Sequence, residues 1–172
     1  MSDDERDRLL AAAVGLREQG RQEEARDRLV ELAARLPDDA EVAYQTAWAH
    51  DVLGLEADAV PHYQRALKAT GPAGPTGLSE ADRRGALLGL GSTFRTLGRY
   101  EEAVATLRGA VAEFPDDGAL RTFLAMALYN TGDHHESARL LLRLLAATSE
   151  DPSVQRYRRA IEHYAEDLDA TE

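Results

Sequence analysis

Residues 83–117 read RRGALLGLGSTFRTLGRYEEAVATLRGAVAEFPDD. Leu87, Leu90, Gly91 and Phe94 recur at helical spacing until Gly98 breaks the pattern, which resumes with Ala103 and Ala110 and stops at Pro115. Proline disfavours helix in the residue before it, and Asp116 and Asp117 suit the start of a following helix. The stretch therefore predicts two helices joined by a tight turn. Outside it the pattern repeats. Gly20, Gly54, Gly98 and Gly132 stand 34, 44 and 34 residues apart, and Ala25, Ala59, Ala103 and Ser137 follow each by five residues. A period of this length with small residues in phase marks stacked helical hairpins, each burying its apolar face against its neighbours.

The expected architecture is all-α, an α-solenoid of about four antiparallel helix-turn-helix repeats at about residues 6–37, 40–70, 79–115 and 118–149. The whole chain, 1–172, reads as one domain. GPAGPTGLSE follows Thr70 and accounts for the ten extra residues between Gly54 and Gly98, so 71–78 is an inserted loop. Ser79 with Asp82 looks like a variant capping box that opens the third hairpin. Pro61 falls early in a second helix, where a missing N–H costs less. Asp151 and Pro152 open a further helix over 152–168, whose Val154, Tyr157, Ile161, Ala165 and Leu168 form one stripe. That helix is expected to cap the exposed apolar end of the stack, with the last residues fraying.

Composition narrows the function. The net charge of −11, with no long basic run, argues against nucleic acid or an anionic membrane as partner. Absence of cysteine removes disulfides and thiolate chemistry. The acidic start MSDDERDRLL does not read as a secretion signal, and no run is long enough to span a membrane, so the expected location is cytoplasmic.

The array resembles the tetratricopeptide repeat family. Leu87, Leu90, Gly91, Phe94, Gly98, Tyr100, Ala103, Ala110 and Pro115 fall on its consensus positions. Ala47, Gly54, Ala59, Tyr63 and Ala66 do so in the second unit, Ala13, Leu16, Gly20, Ala25 and Pro37 in the first, and Leu124, Ala125, Leu128 and Gly132 in the fourth. The third unit further resembles a bacterial subgroup of mostly unassigned function. The resemblance implies that the first helix of each hairpin lines a concave groove. Leu10, Val14 and Arg17 then face it from unit one, Tyr44, Trp48 and Asp51 from unit two, Leu88, Ser92 and Arg95 from unit three, and Thr122, Met126, Tyr129 and Asn130 from unit four. Family members that hold a peptide's terminal carboxylate use lysine and asparagine at positions where this chain has Leu10, Val14, Tyr44, Trp48, Leu88 and Ser92, so that clamp is missing here.

Catalytic and metal chemistry find no foothold. His134 and His135 are adjacent and point roughly 100° apart on a helix, so they do not converge on one ion. His50 reads as a hydrogen-bonded core histidine, and His62 and His163 as surface residues. Ser92 and the acid pairs have no identifiable base or pocket, and Gly71, Gly74 and Gly77 follow no strand. The expectation is a non-enzymatic module with no cofactor, no metal and no catalytic residue, binding a protein or peptide partner through Val14, Arg17, Tyr44, Trp48, Leu88, Arg95, Met126, Tyr129 and Asn130. The alternative is a homo-oligomer that uses the groove or the ends for assembly. Tyr44, Trp48 and Met126 could equally serve as packing between helices.

Overall fold

The computed structural model describes residues 1–68 and 77–169. Among these, nine α-helices and no strand occur: α1 Asp3–Glu18, α2 Gln22–Arg35, α3 Ala40–Asp51, α4 Glu56–Lys68, α5 Glu80–Thr96, α6 Tyr100–Glu113, α7 Gly118–Thr131, α8 His134–Thr148 and α9 Pro152–Tyr164. The loop expected at 71–78 lies outside the described residues up to 76. The helices pair as four antiparallel hairpins and α9 packs on α8, which is the solenoid with a terminal cap expected from the period.

Each hairpin turn is made by its glycine. Gly20, Gly54, Gly98 and Gly132 have φ of 80°, 71°, 73° and 89°, the left-handed region that a side chain disfavours. The residue after each glycine donates back across the helix end, as Arg99 N–H does to the Phe94 carbonyl at 2.8 Å and Asp133 N–H to Leu128 at 2.9 Å. Carbonyls left over at a helix end are satisfied in this way. Helix starts are equally local. Asp39, Ser79, Asp117 and Asp151 accept from the N–H groups of Val42, Asp82, Leu120 and Ser153 at 3.0, 3.1, 2.9 and 2.7 Å.

Small residues let the two helices of a hairpin approach. Ala25, Ala59 and Ala103 are completely buried, and so are Ala47 and Ala125 on the opposing helices. In the fourth hairpin Ser137 takes the place of alanine, and its hydroxyl donates to the Ala125 carbonyl at 2.7 Å, so the extra polar atom is satisfied by the backbone that it touches. Consecutive hairpins are also tied electrostatically. Arg6 grips Asp39 through two 2.9 Å bonds and reaches Glu41 at 2.7 Å, while Arg84, at the same phase of the third hairpin, lies 3.6 Å from Asp117.

The curvature follows from which helices touch. Among the described residues α1 meets α3, α3 meets α5 and α5 meets α7, whereas α2, α4, α6 and α8 do not meet one another. The first helices are therefore gathered on the inside of the bend and the second helices splay on the outside.

Two expectations need correction. The terminal helix ends at Tyr164 and not at 168, and residues 165–169 form turns. Val154 and Ile161 are half-buried and Ala165 is buried, but Tyr157 and Leu168 are exposed, so the expected stripe is only partly covered. His62, expected at the surface, is half-buried. Its ring stacks on the buried His50 with centroids 5.2 Å apart, and its Nδ1 is buried with no hydrogen-bond partner among the described residues. Burial, then the neighbouring His50 and Arg65, lowers its pKa from 6.5 to about 4. The folded chain thus binds fewer protons at His62 than the unfolded chain, so this contribution to stability is complete above about pH 6.5 and is lost as the pH falls toward about 4. In His62→Phe, urea denaturation across that window is expected to show a shallower fall in stability than wild type; identical slopes would place His62 in solvent.

Candidate functional site

The inner row of helices holds one cleft rich in aromatic side chains. α5 carries Gly85 and Gly89 one turn apart, and neither has room for a side chain: a methyl group on Gly85 would strike the Tyr44 hydroxyl, and one on Gly89 the Tyr63 hydroxyl. The bare stretch of α5 lets Tyr63 reach inward from α4, an outer helix. The result is a cleft of about 370 Å³ between α3, α5 and α7, walled by Tyr44, Trp48, Leu88 and Phe123 and floored by Asp51 and Tyr63.

Tyr44 and Trp48 are successive turns of α3 and their rings stack at 6.0 Å, yet their surroundings differ. Tyr44 is 7% exposed, sealed by α5, whereas Trp48 is 41% exposed. The Arg17 guanidinium lies 3.8 Å over the Trp48 ring and donates to the Gln45 side chain at 2.8 Å. A cation on an indole face is electrostatically favourable, and here it fixes the ring without covering it completely.

The floor is polar. The Tyr63 hydroxyl donates to Asp51 at 2.6 Å, and the Thr93 hydroxyl lies 2.9 and 3.0 Å from the two carboxylate oxygens. Burial pushes the Asp51 carboxyl above the ordinary carboxylate range, although both hydroxyls act in the opposite direction. Burial, reinforced by Asp51, raises the Tyr63 phenol so that it remains a donor.

Of the residues expected to line the groove, Tyr44, Trp48 and Leu88 come together at the cleft and Arg17 borders it. Arg95 meets Asn130 at 3.4 Å, joining α5 to α7. Tyr129 is exposed but leans on His134 with centroids 4.7 Å apart, Met126 is half-buried, and Val14 packs against the N-terminal core. Sequence reading did not single out Tyr63 and Phe123 for the cleft. The usable signal for Tyr63 was the spacing of Gly85 and Gly89, because two glycines on one helical face cut a furrow that a neighbouring side chain can enter.

His50 is buried and its Nδ1 lies 2.8 Å from the Thr46 carbonyl, so that nitrogen carries the proton. His135 gathers with Asp167 and Asp169 in an exposed cluster, one atom from each lying within 4.8 Å of the others. Among the described residues no helix is long and apolar enough to cross a membrane.

Comparison with known proteins places the fold. MamA 41-end from Desulfovibrio magneticus RS-1 superposes with a TM-score of 0.73 at 20% identity, covering 97% of this chain and 92% of that one. A MamA RS-1 ArsTM double mutant superposes with a TM-score of 0.68 at 18% identity, covering 99% of each chain. No curated protein matches the sequence. A sequence profile described as Tetratrico peptide repeat matches residues 40–168, from the capped start of α3 to just beyond α9. Glycine turns, in-phase small residues and an inner row of first helices thus agree with the profile, and the chain belongs to the tetratrico peptide repeat family of protein-interaction and assembly scaffolds.

Proposed function

We propose that this chain is a non-catalytic module that receives a segment of a partner protein along its concave face, with the Trp48–Leu88–Phe123 cleft as the central contact. The observation that carries this reading is the indole of Trp48, 41% exposed beside an apolar cleft yet held in place by Arg17. A large, pre-positioned aromatic side chain contributes contact area at little ordering cost, which is why such residues dominate binding energy. Arg95 and Asn130, joined across α5 and α7, offer polar groups farther along the face. Affinity capture comparing wild type with Trp48→Ala/Leu88→Ala is the test, followed by acrylamide quenching of Trp48, the sole tryptophan. A captured partner is expected to bind the double variant at least about tenfold more weakly and to shield the indole in wild type. Equal capture and unchanged quenching would remove this patch.

A second reading is self-assembly through the ends. A cleft of about 290 Å³ opens between α1 and α2, lined by Leu9, Leu16 and Leu32, and Leu141, Leu145, Tyr157 and Tyr164 are exposed on α8 and α9 at the other end. Two unlike apolar ends favour head-to-tail contact, which extends without closing. Sedimentation that stays monomeric across a hundredfold concentration range would exclude it.

A further inference from the structure

The cleft has an apolar wall, but its floor is a carboxylate, and that combination selects the chemistry of what enters. Among the described residues the Asp51 carboxylate accepts hydrogen bonds from two hydroxyls only, those of Tyr63 and Thr93, and forms no ion pair with a basic side chain. A carboxylate offers about four acceptor positions, so three contacts leave capacity, and Asp51 lines the open cleft. An apolar side chain lying on this floor would strip its remaining hydration and leave nothing in exchange, and a neutral donor would return a hydrogen bond without balancing the charge. A cation would instead convert that loss into a charge-assisted contact.

The surroundings favour the same sign. Glu56 adds negative potential at Asp51, opposed by the smaller effect of His50, and Asp82 adds it at Tyr44, opposed by the smaller effect of Arg17, within a chain of net charge −11. Tyr44, Trp48 and Phe123 supply aromatic walls, whose faces attract cations. Arg17, the basic side chain at the edge, is engaged by the Trp48 ring and Gln45.

We infer that the cleft floor is a receptor for one basic side chain, arginine or lysine, of the bound segment, its charge set against Asp51 and its methylenes against the aromatic walls. This rests on the groove reading above and adds the identity of the anchoring residue.

The test uses the full chain on an array of random dodecapeptides, comparing wild type with Asp51→Asn, Trp48→Ala and Glu101→Gln. Glu101→Gln makes the same change in net charge at an exposed site on α6 and controls for the general pull of an acidic protein on basic peptides. Peptides that require Trp48 are expected to share an arginine or lysine beside apolar residues. Exchanging that arginine for neutral citrulline, or that lysine for norleucine, should weaken binding to wild type about tenfold or more, and the exchange should cost little in Asp51→Asn. The exchange on wild type needs no variant to fold. Trp48-dependent peptides without an excess of basic residues, or an exchange penalty equal in wild type and Asp51→Asn, would overturn the inference and leave the groove reading intact. An array on which no binding depends on Trp48 would overturn both.

Discussion

Leu107→Ala is expected to lower the stability of the fold by about 3–5 kcal/mol, the upper range for removing a buried leucine side chain. Leu107 is 0% exposed on α6, and it lies against Gly91 of α5, where a Cβ would come within 2.5 Å of its Cγ. The cost of truncation depends on how far the surroundings relax into the space. Here one wall is helix backbone with no side chain to swing inward, and α6 is held between α5 and α7, so collapse is restricted. Leu141→Ala provides the contrast, since Leu141 is 42% exposed and its loss should change stability by no more than about 0.5 kcal/mol. Denaturant unfolding followed by circular dichroism measures both. A Leu107→Ala loss below about 1 kcal/mol would mean that α5 and α6 are not packed as described.

Adding volume at Ala103 is expected to be harmful too, though less so. This residue is also 0% exposed, and in its own hairpin it occupies the place that Ser137 occupies in the fourth. At Ser137 the hydroxyl oxygen sits 2.7 Å from the facing carbonyl, which shows how little space separates the two helices there. Ala103→Leu should therefore cost about 1–3 kcal/mol by forcing α5 and α6 apart. Ala103→Ser should cost less than about 1 kcal/mol, because the fourth hairpin already accommodates that group by bonding it to backbone. Thermal melting of the two variants beside wild type decides the point; a leucine tolerated as well as serine would refute close approach of the helices. Because α5 also carries Leu88 and Gly89 to the cleft, the Ala103→Leu protein should lose Trp48-dependent binding as well.

The turn glycines and cap residues were legible because their interactions are short in sequence. Gly98 closes a helix whose carbonyl lies a few residues back, and Asp117 caps an N–H three residues ahead. The terminal helix was harder. The spacing of Val154, Ile161 and Leu168 is helical, but α9 ends at Tyr164, and the chain beyond it turns so that Ala165 is buried and Leu168 is left in solvent. Periodicity reports that a face exists; it does not report whether a neighbour is long enough to cover it.

The cleft was legible only in outline. Tyr44 and Trp48 stand one turn apart and read alike, and α5 separates them by sealing one and leaving the other open. His62 looked solvent-facing because nothing nearby in sequence indicates that His50 will stack on it.

By itself, the sequence determined the repeat, its four turns and the close contact of the paired helices, since each depends on residue size, backbone freedom or hydrogen bonds across a few positions. The tertiary structure alone decided that Tyr63 passes the bare face of α5 to reach Asp51, and that Thr93, 42 residues from Asp51, completes the floor. The physical reason is that burial and electrostatic environment are set by neighbours brought together through the stacking of whole hairpins, at distances along the chain over which local pattern carries no information.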